Sequence, residues 1–525
     1  MKSIALVFSM IVLVSGLSGC TNSGGGGGGG AADFAVSTTA ANFGVVDNSY
    51  TSTLAVTGGT APFTWTLFGG TLPTGLSLNA GTGVVNGTPM VVENPTAVFT
   101  VTDSTGKTAI GSVLFAVHPR TDRASVTGSG TAGSGASSIP SMNSDGSLVT
   151  FVSQSTNFVA GVSGSQIYVH NRQTNQIEVV SRDSDASVIN EGGGASSDPS
   201  MSGDGRLVAF VSLSSNLVPS VSGQQIYVRD RQTGQTTVIS KSSASTIGDG
   251  TSHAPAISAD GRYVAFASAS TNLVAGVSGT QIYVHDRQTD QTTLISKDNT
   301  VTPVPGNGVS ATPAISANGQ FVAFASLSTN LGAAGGNQQI YIHDRLTGAN
   351  GTTSLVSKDS VPTAGNGNSS TPSVSGDGRF VAFVSGATNI VTGFSGQQVY
   401  VHDRNTGANG TNSLISRDNS GTPNAGNQNS SVPSISSDGR YVAFTSLATN
   451  LETGVNGQQI YRHDRNGPTT SLVSRDNTGS LVEGNASSEA PSISGNGAFV
   501  AFTSQASNLL AGGVAPSDIY IRALP

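Results

Sequence analysis

Five of the seven histidines recur at one place in a repeated pattern: His170, His285, His343, His402 and His463. Imidazoles at a fixed interval are what a metal ring or a set of general bases would use. An acid and a cation follow most of them, as Asp286-Arg287, Asp344-Arg345, Asp403-Arg404 and Asp464-Arg465, and Asp230-Arg231 follows Arg229 where that repeat lacks the histidine. Shared chemistry requires such groups to converge. About 58 residues separate successive copies, so convergence depends on where in the repeat the histidine lies.

The repeat answers this. A proline opens each copy, at Pro140, Pro199, Pro255, Pro313, Pro372, Pro433 and Pro491, with steps of 59, 56, 58, 59, 61 and 58 residues. A fixed period means one supersecondary unit per repeat. In the third copy the units read as four strands. Pro255-Ala-Ile-Ser258 comes first, with proline at the tolerated first position. Asp260-Gly261 makes a tight turn. Arg262 to Ser268 is nearly continuous in apolar residues, as a strand covered on both faces should be. Gln281 to Arg287 is the third strand and Thr292 to Lys297 the fourth. Four-stranded sheets repeated radially make a β-propeller. The seventh copy stops at its third strand, and Thr121 to Thr127 sits where a missing fourth strand would be. The expectation is all-β: seven four-stranded blades over residues 119–525, the last closed by an N-terminal strand.

In that fold the histidines lie late on third strands, one strand from the outer edge. They stand apart rather than around the axis, so they read as hydrogen-bonded inter-blade residues. Asp-Arg reads as a turn-fixing pair, its acid accepting backbone amides. The innermost strands read Pro-Ser-Met-Asn, Pro-Ala-Ile-Ser and the like. They carry no paired carboxylates of the kind glycosidases need. No Gly-x-Ser-x-Gly elbow, no Cys/His metal spacing and no phosphate loop occurs in the sequence. The expectation is no catalytic residue and no metal site.

The recurring S-x-D-G-R-x-V-A-F-x-S and I-Y-V-x-D-R segments resemble TolB-type, WD-repeat-like blades of bacterial envelope proteins, over about three quarters of the chain. Relatives of that kind with long blades carry an acidic, calcium-binding loop before the third strand. Here Val277 to Gln281 has Gln in the acid's place, and only the last blade keeps one, Asp518. The resemblance therefore raises calcium without a repeated site for it, and no cofactor is expected. TolB's N-terminal α/β domain has no counterpart here, so its cellular role is not implied.

The start of the chain differs. Met1 to Gly19 has one cation, Lys2, and an apolar run from Ile4 to Val14, the form of a signal peptide. It ends Leu17-Ser-Gly-Cys20, which resembles a bacterial lipoprotein cleavage box, and Cys20 is the only cysteine. The resemblance implies lipidation of Cys20 and attachment to a membrane. Thr21 rather than Asp then resembles the outer-membrane sorting pattern. Residues 20–32, with the glycine run 24–30, read as a tether. Residues 33–118 alternate short strands with Gly/Pro turns, which argues for a small β-sandwich with Trp65 in its core. Its order Gly58-Gly-Thr-Ala-Pro-Phe-Thr-Trp65, Leu72-Pro-Thr-Gly-Leu-Ser-Leu78 and Gly83-Val-Val-Asn-Gly-Thr-Pro89 resembles the immunoglobulin-like domains of bacterial surface proteins, in the cadherin-like group. The only acids bearing on calcium there are Glu93 and Asp103.

Charged residues make up only 10% and the net charge is -7, so a nucleic-acid partner is not expected. Two connections per blade are long: strand two to three, always with an Asn, and blade to blade. Both are expected on one face, where binding surfaces sit. The candidate contact residues are Asp185, Glu191, Asn272 and Asn307. The function expected is that of a non-enzymatic, lipid-anchored envelope protein binding a protein or glycan. The alternatives are a hydrolase or lyase acting on carbohydrate or peptide at that face, and a structural or adhesive surface component.

Overall fold

The computed structural model describes residues 33–185, 192–333, 336–420, 422, 424–477, 482–510 and 516–524. Cys20, the leader and the tether lie outside them. Residues from Asp33 to His118 form small, mostly antiparallel sheets, the largest built from Thr64–Gly70, Thr96–Thr102 and Thr108–Leu114. Trp65 is 3% exposed and meets the edge of Phe99 at 6.5 Å.

Seven four-stranded sheets follow. Blade three is Ser252–Ile257, Tyr263–Ser268, Gln281–Asp286 and Gln291–Leu294. Blade seven takes its outer strand from Thr121–Arg123, antiparallel to Asp518–Ala523. The second and third strands are buried on both faces, and a Phe/Tyr pair such as Phe266 and Tyr283, 5.9 Å apart, recurs in all seven blades.

The first strands differ from the sequence reading. They begin three residues before the proline, at Ser137, Ser196, Ser252 and their equivalents. The residue before proline is the extra residue of a β-bulge and has positive φ in every blade: Ile139 (52°), Asp198 (50°), Ala254 (51°), Thr312 (49°), Thr371 (45°), Val432 (47°) and Ala490 (50°). A bulge leaves one residue out of the ladder, so proline's missing N–H costs no pairing there. The apparent strand start was therefore a mid-strand kink.

The blades' sheets are separate, and turns link them. A ring of main-chain bonds runs around the axis at the hairpin end. Ser144 donates to Gly203, Gly203 to Ala259, Asp260 to Ala317, Ala317 to Gly376, Gly376 to Ser437, Ser437 to Gly495, and Asn496 back to Ser144. One turn further in, a serine in five of the seven blades accepts the next blade's amide. Ser141, Ser200, Ser373, Ser434 and Ser492 take the amides of Met201, Ile257, Ile435, Ile493 and Met142 at 3.1–3.3 Å. Ala256 and Ala314 occupy this position in blades three and four. Ala256→Ser or Ala314→Ser should supply the missing acceptor and raise stability by about 0.5–1.5 kcal/mol, read as a shift in the urea midpoint at constant slope.

The Asp-Arg pairs are turn devices. Arg262 grips Asp286 through Nε at 2.9 Å and Nη2 at 2.7 Å, and Asp286 also accepts the Gln288 amide. Hydrogen bonds from Arg262 hold its carboxyl well below the usual range. The second arginine donates to the hairpin glycine of its own blade, as Arg345 does to Gly319 at 2.6 Å, and lies over an aromatic ring of the preceding blade, Tyr263, at 4.2 Å.

The sandwich meets the hairpin end of the propeller. Arg172, in the turn after strand three of blade one, lies between Phe43 at 4.5 Å and Phe499 of blade seven at 4.8 Å. Its guanidinium is fully buried, which brings its pKa down to about 10. Gln173 donates to the Ala41 carbonyl alongside.

Candidate binding face

Strand one enters each blade from the long-loop end, and strand two returns to it. The residues flanking these two inner strands therefore ring the mouth of the axis on that side. Several are exposed aliphatics: Leu213, Leu327 and Leu447 just after second strands, and Val309 just before a first strand. Below them the bulges line the axis. Ile139 and Val432 are about 40% exposed there. At the hairpin end Met142, Met201, Ile257, Ile315, Val374, Ile435 and Ile493 narrow the axis to a cavity of about 150 Å³. The result is a well, open toward the long loops, with an aliphatic rim and floor.

Polar groups lie in its wall. Because the first strands start before the prolines, Asp198, His253 and Glu489 belong to them. The expectation was of no paired carboxylates on the inner strands; the structure places single acids there, Asp198 in blade two and Glu489 in blade seven. Asp198 is half-buried, and burial pushes its carboxyl above the ordinary value against the opposing pull of His253 on the neighbouring blade. Ser197 Oγ donates to its Oδ2 at 3.4 Å. Glu489 is exposed. The signal in the sequence was the single acid within a small-residue motif, Ser-Ser-Asp-Pro and Ser-Glu-Ala-Pro. A wrong strand boundary hid it.

The long connections do not all share this face, a second difference from the sequence reading. The first half of each inter-blade connection drapes down the flank onto the next blade's outer strand. Asn299 brackets Thr353, accepting its amide at 2.7 Å and donating to its carbonyl at 2.8 Å, and Asn419 and Asn477 do the same to Thr470 and Thr121. An exposed strand edge invites pairing with other chains, and this clasp covers it. Only the second half returns to the long-loop end.

The repeated asparagines pin that second half. Asn272 accepts the Asp249 amide at 3.1 Å and donates to the Ile247 carbonyl at 2.8 Å. Asn307 donates to Thr329 Oγ1 at 2.9 Å and accepts the Thr329 amide at 2.8 Å. Asp185 is exposed on the draped half, its carbonyl accepting Arg182 Nη2. Glu191 lies outside the described residues. The three that are described are not brought together. Gln281 is the buried first residue of strand three; it accepts Ser296 Oγ and donates to Gly306. Asp518 holds the same place in blade seven and bonds Ser125. Among the described residues no group of three or more acids, histidines or cysteines forms a metal cluster.

The repeat histidines are inter-blade residues. Thr470 Oγ1 gives its proton to the Arg417 carbonyl of the preceding blade at 2.6 Å, so His463 Nδ1, at 2.9 Å, must donate to that hydroxyl. His343 repeats this with Thr353 and Lys297, and His402 uses Asn412 and Lys358. Arg229 and Arg522, at the same register in blades two and seven, reach the preceding blade directly.

No curated protein matches the chain. Among solved structures it is similar to a protein described as a putative TolB from Agrobacterium tumefaciens, at 15% identity over 69% of this chain and 98% of that one, with a TM-score of 0.36. It is similar to the propeller domain of the Trilobed protease from Pyrococcus furiosus, at 14% over 71% and 91%, TM-score 0.41. It is also similar to the acylaminoacyl peptidase of Pyrococcus horikoshii, at 12% over 74% and 52%, TM-score 0.42. Residues 32–118 match the family model described as "Putative Ig domain". The chain thus joins an immunoglobulin-like domain of that family to a seven-bladed β-propeller.

Proposed function

We propose that this is a non-enzymatic interaction protein of the cell envelope, held to a membrane through lipid on Cys20, whose propeller receives a protein or glycan partner at the long-loop mouth of its axis. One observation carries the reading: an aliphatic rim of Leu213, Val309, Leu327 and Leu447 around a well whose wall holds Asp198, His253 and Glu489. Apolar surface gathered at one concave site with a few polar groups is the usual form of a recognition site. The sandwich meets the opposite, hairpin end, which leaves the mouth facing away from the N-terminal attachment.

The test is capture from envelope extract by the chain from Ser23 onward and by the same chain from Arg120. Both should retain the same partner, and Leu327→Asp with Leu447→Asp should weaken retention about tenfold or more. Retention unchanged by these substitutions would sink the axial reading. Retention by the longer chain alone would move recognition to the sandwich. The raised carboxyl of Asp198 beside His253 favours one second reading, a hydrolase acting at the same mouth. It predicts product release from envelope polysaccharide or peptide that stops in Asp198→Asn.

A further inference from the structure

The fourth strand of six blades runs into a serine and then a cation: Arg182, Lys241, Lys297, Lys358, Arg417 and Arg475. The next blade fixes the carbonyl of each through a strand-four side chain, as Thr353 does for Lys297 and Thr470 for Arg417. The cationic side chain is thereby carried into the crevice between two blades, on the flank and away from the axial mouth.

In the first two crevices a carboxylate stands among the cations. Glu178 pairs with Arg231, and Asp290 with Lys241 at 2.6 Å. The register of Glu178 is held by Thr293, Ser354 and Ser413 in blades three, four and five. No carboxylate replaces it. Burial alone lowers the pKa of Lys297 and Lys358, with no acid acting on either. Among the described residues Arg417 forms no ion pair, and its buried Nε has no hydrogen-bond partner.

The crevice between blades five and six is a cavity of about 410 Å³ lined by Arg417, Arg465, His463, Asn412, Val391 and Phe394 among others. Arg465 is partly occupied: it donates to Gly439, lies over Phe380 at 4.0 Å and feels Asp403 and Asp438. Arg417 is the cation left to answer a ligand. Phe394 stands where blades one, two, three and six have Val162, Val221, Val277 and Val455, so an aromatic ring is particular to this crevice. His463 donates through Nδ1, which leaves Nε2 as an acceptor.

We infer that this crevice binds a carboxylate-bearing sugar of an acidic glycan. Arg417 takes the carboxylate in a charge-assisted pair. Phe394 packs against the apolar face of the ring, and Ser413 and His463 meet hydroxyls. One unanswered guanidinium among neutral polar groups suits a single carboxylate better than a phosphate dianion. Lys358 and Lys297, in the two preceding crevices, place further unanswered cations along the same flank, so a chain with several acidic sugars meets more than one.

The test is calorimetric titration of the full chain with tri-galacturonate, with neutral tri-galactose and inorganic polyphosphate as the other ligands. Tri-galacturonate should bind and tri-galactose should not. Arg417→Gln should weaken binding about tenfold or more, the loss expected for one charge-assisted bond. Phe394→Val, which installs the residue other blades use and so preserves the fold, should weaken it several-fold. Arg182→Gln, at the same register beside Glu178, should leave it unchanged, as should Asp198→Asn, which reports on the axial mouth alone. Absence of tri-galacturonate binding at millimolar concentration, equal binding of the neutral sugar, tighter binding of polyphosphate, or full affinity in Arg417→Gln would each overturn the assignment.

Discussion

Asp518→Ala costs the propeller about 3–5 kcal/mol, the loss expected when one member of a buried ion pair is removed. Asp518 is 2% exposed and ties the two ends of the array together. Its Oδ1 accepts Ser125 Oγ at 2.7 Å, and its Oδ2 lies 3.4 Å from Arg123 Nε. Ser125 and Arg123 belong to the N-terminal segment that completes blade seven; Asp518 opens that blade's third strand. Without the carboxylate Arg123 is left in a site 9% exposed, its side chain bonding Tyr520. Chemical denaturation should show the loss as a lower midpoint at unchanged slope. Asp518→Gln, which copies the other blades, should recover the serine bond but not the arginine's partner, and so fall between. A change below about 0.5 kcal/mol, the range of ordinary surface substitutions, would mean that this closure contributes nothing. A chain begun at Arg120 should fold, whereas one begun at Val126 leaves the edge of Asp518–Ala523 unpaired and should aggregate on gel filtration.

Acidification should unfold the protein well above the range where carboxylates titrate. Burial pushes His170, His343, His402 and His463 down to about 4 from the ordinary 6.5. Their neutral form is preferred in the folded chain, so the unfolded chain binds more protons between these values. Stability is therefore full above pH 6.5 and falls as pH drops toward 4, by roughly 2–3 kcal/mol per imidazole if each charges only on unfolding. His285 is brought down to about 4 as well, because its burial outweighs the pull of Asp290, which stands 3.2 Å from its Nε2. Below the ordinary carboxyl range a second loss sets in as Asp230, Asp286, Asp403 and Asp464, held low chiefly by hydrogen bonds from their arginines, are forced to protonate. Melting temperatures from pH 8 to 3.5 should fall first across the histidine window. His402→Asn with His463→Asn should flatten that part of the curve. A flat profile from pH 6.5 to 4.5 in the unchanged protein would refute the assignment.

Much of the architecture was legible because the blade is written seven times. Asp260-Gly261 and its equivalents mark one hairpin, the apolar run after it marks a doubly covered strand, and the missing fourth strand of the seventh copy points to Thr121 as the closing strand. These are local rules of turn and period, and repetition makes them legible. The role of the histidines also followed, since strand order alone places them away from the axis.

Contacts between blades were not legible, because the residues that meet there lie far apart in the chain. Sequence order does not say that Asn299 brackets Thr353 or that Ser200 holds Ile257. The bulge at each proline hid the inner-strand acids, for proline reads locally as a strand start whereas the sheet continues through it. Amino-acid order by itself determined the number of blades, the strands within each and the way the ring closes. Only the tertiary structure decided which charges are buried and what faces them: Asp198 in the axial wall, beside Ser197 and His253, and Arg417 on the flank are set by what the neighbouring blade places opposite them, and burial is a property of packing, not of sequence.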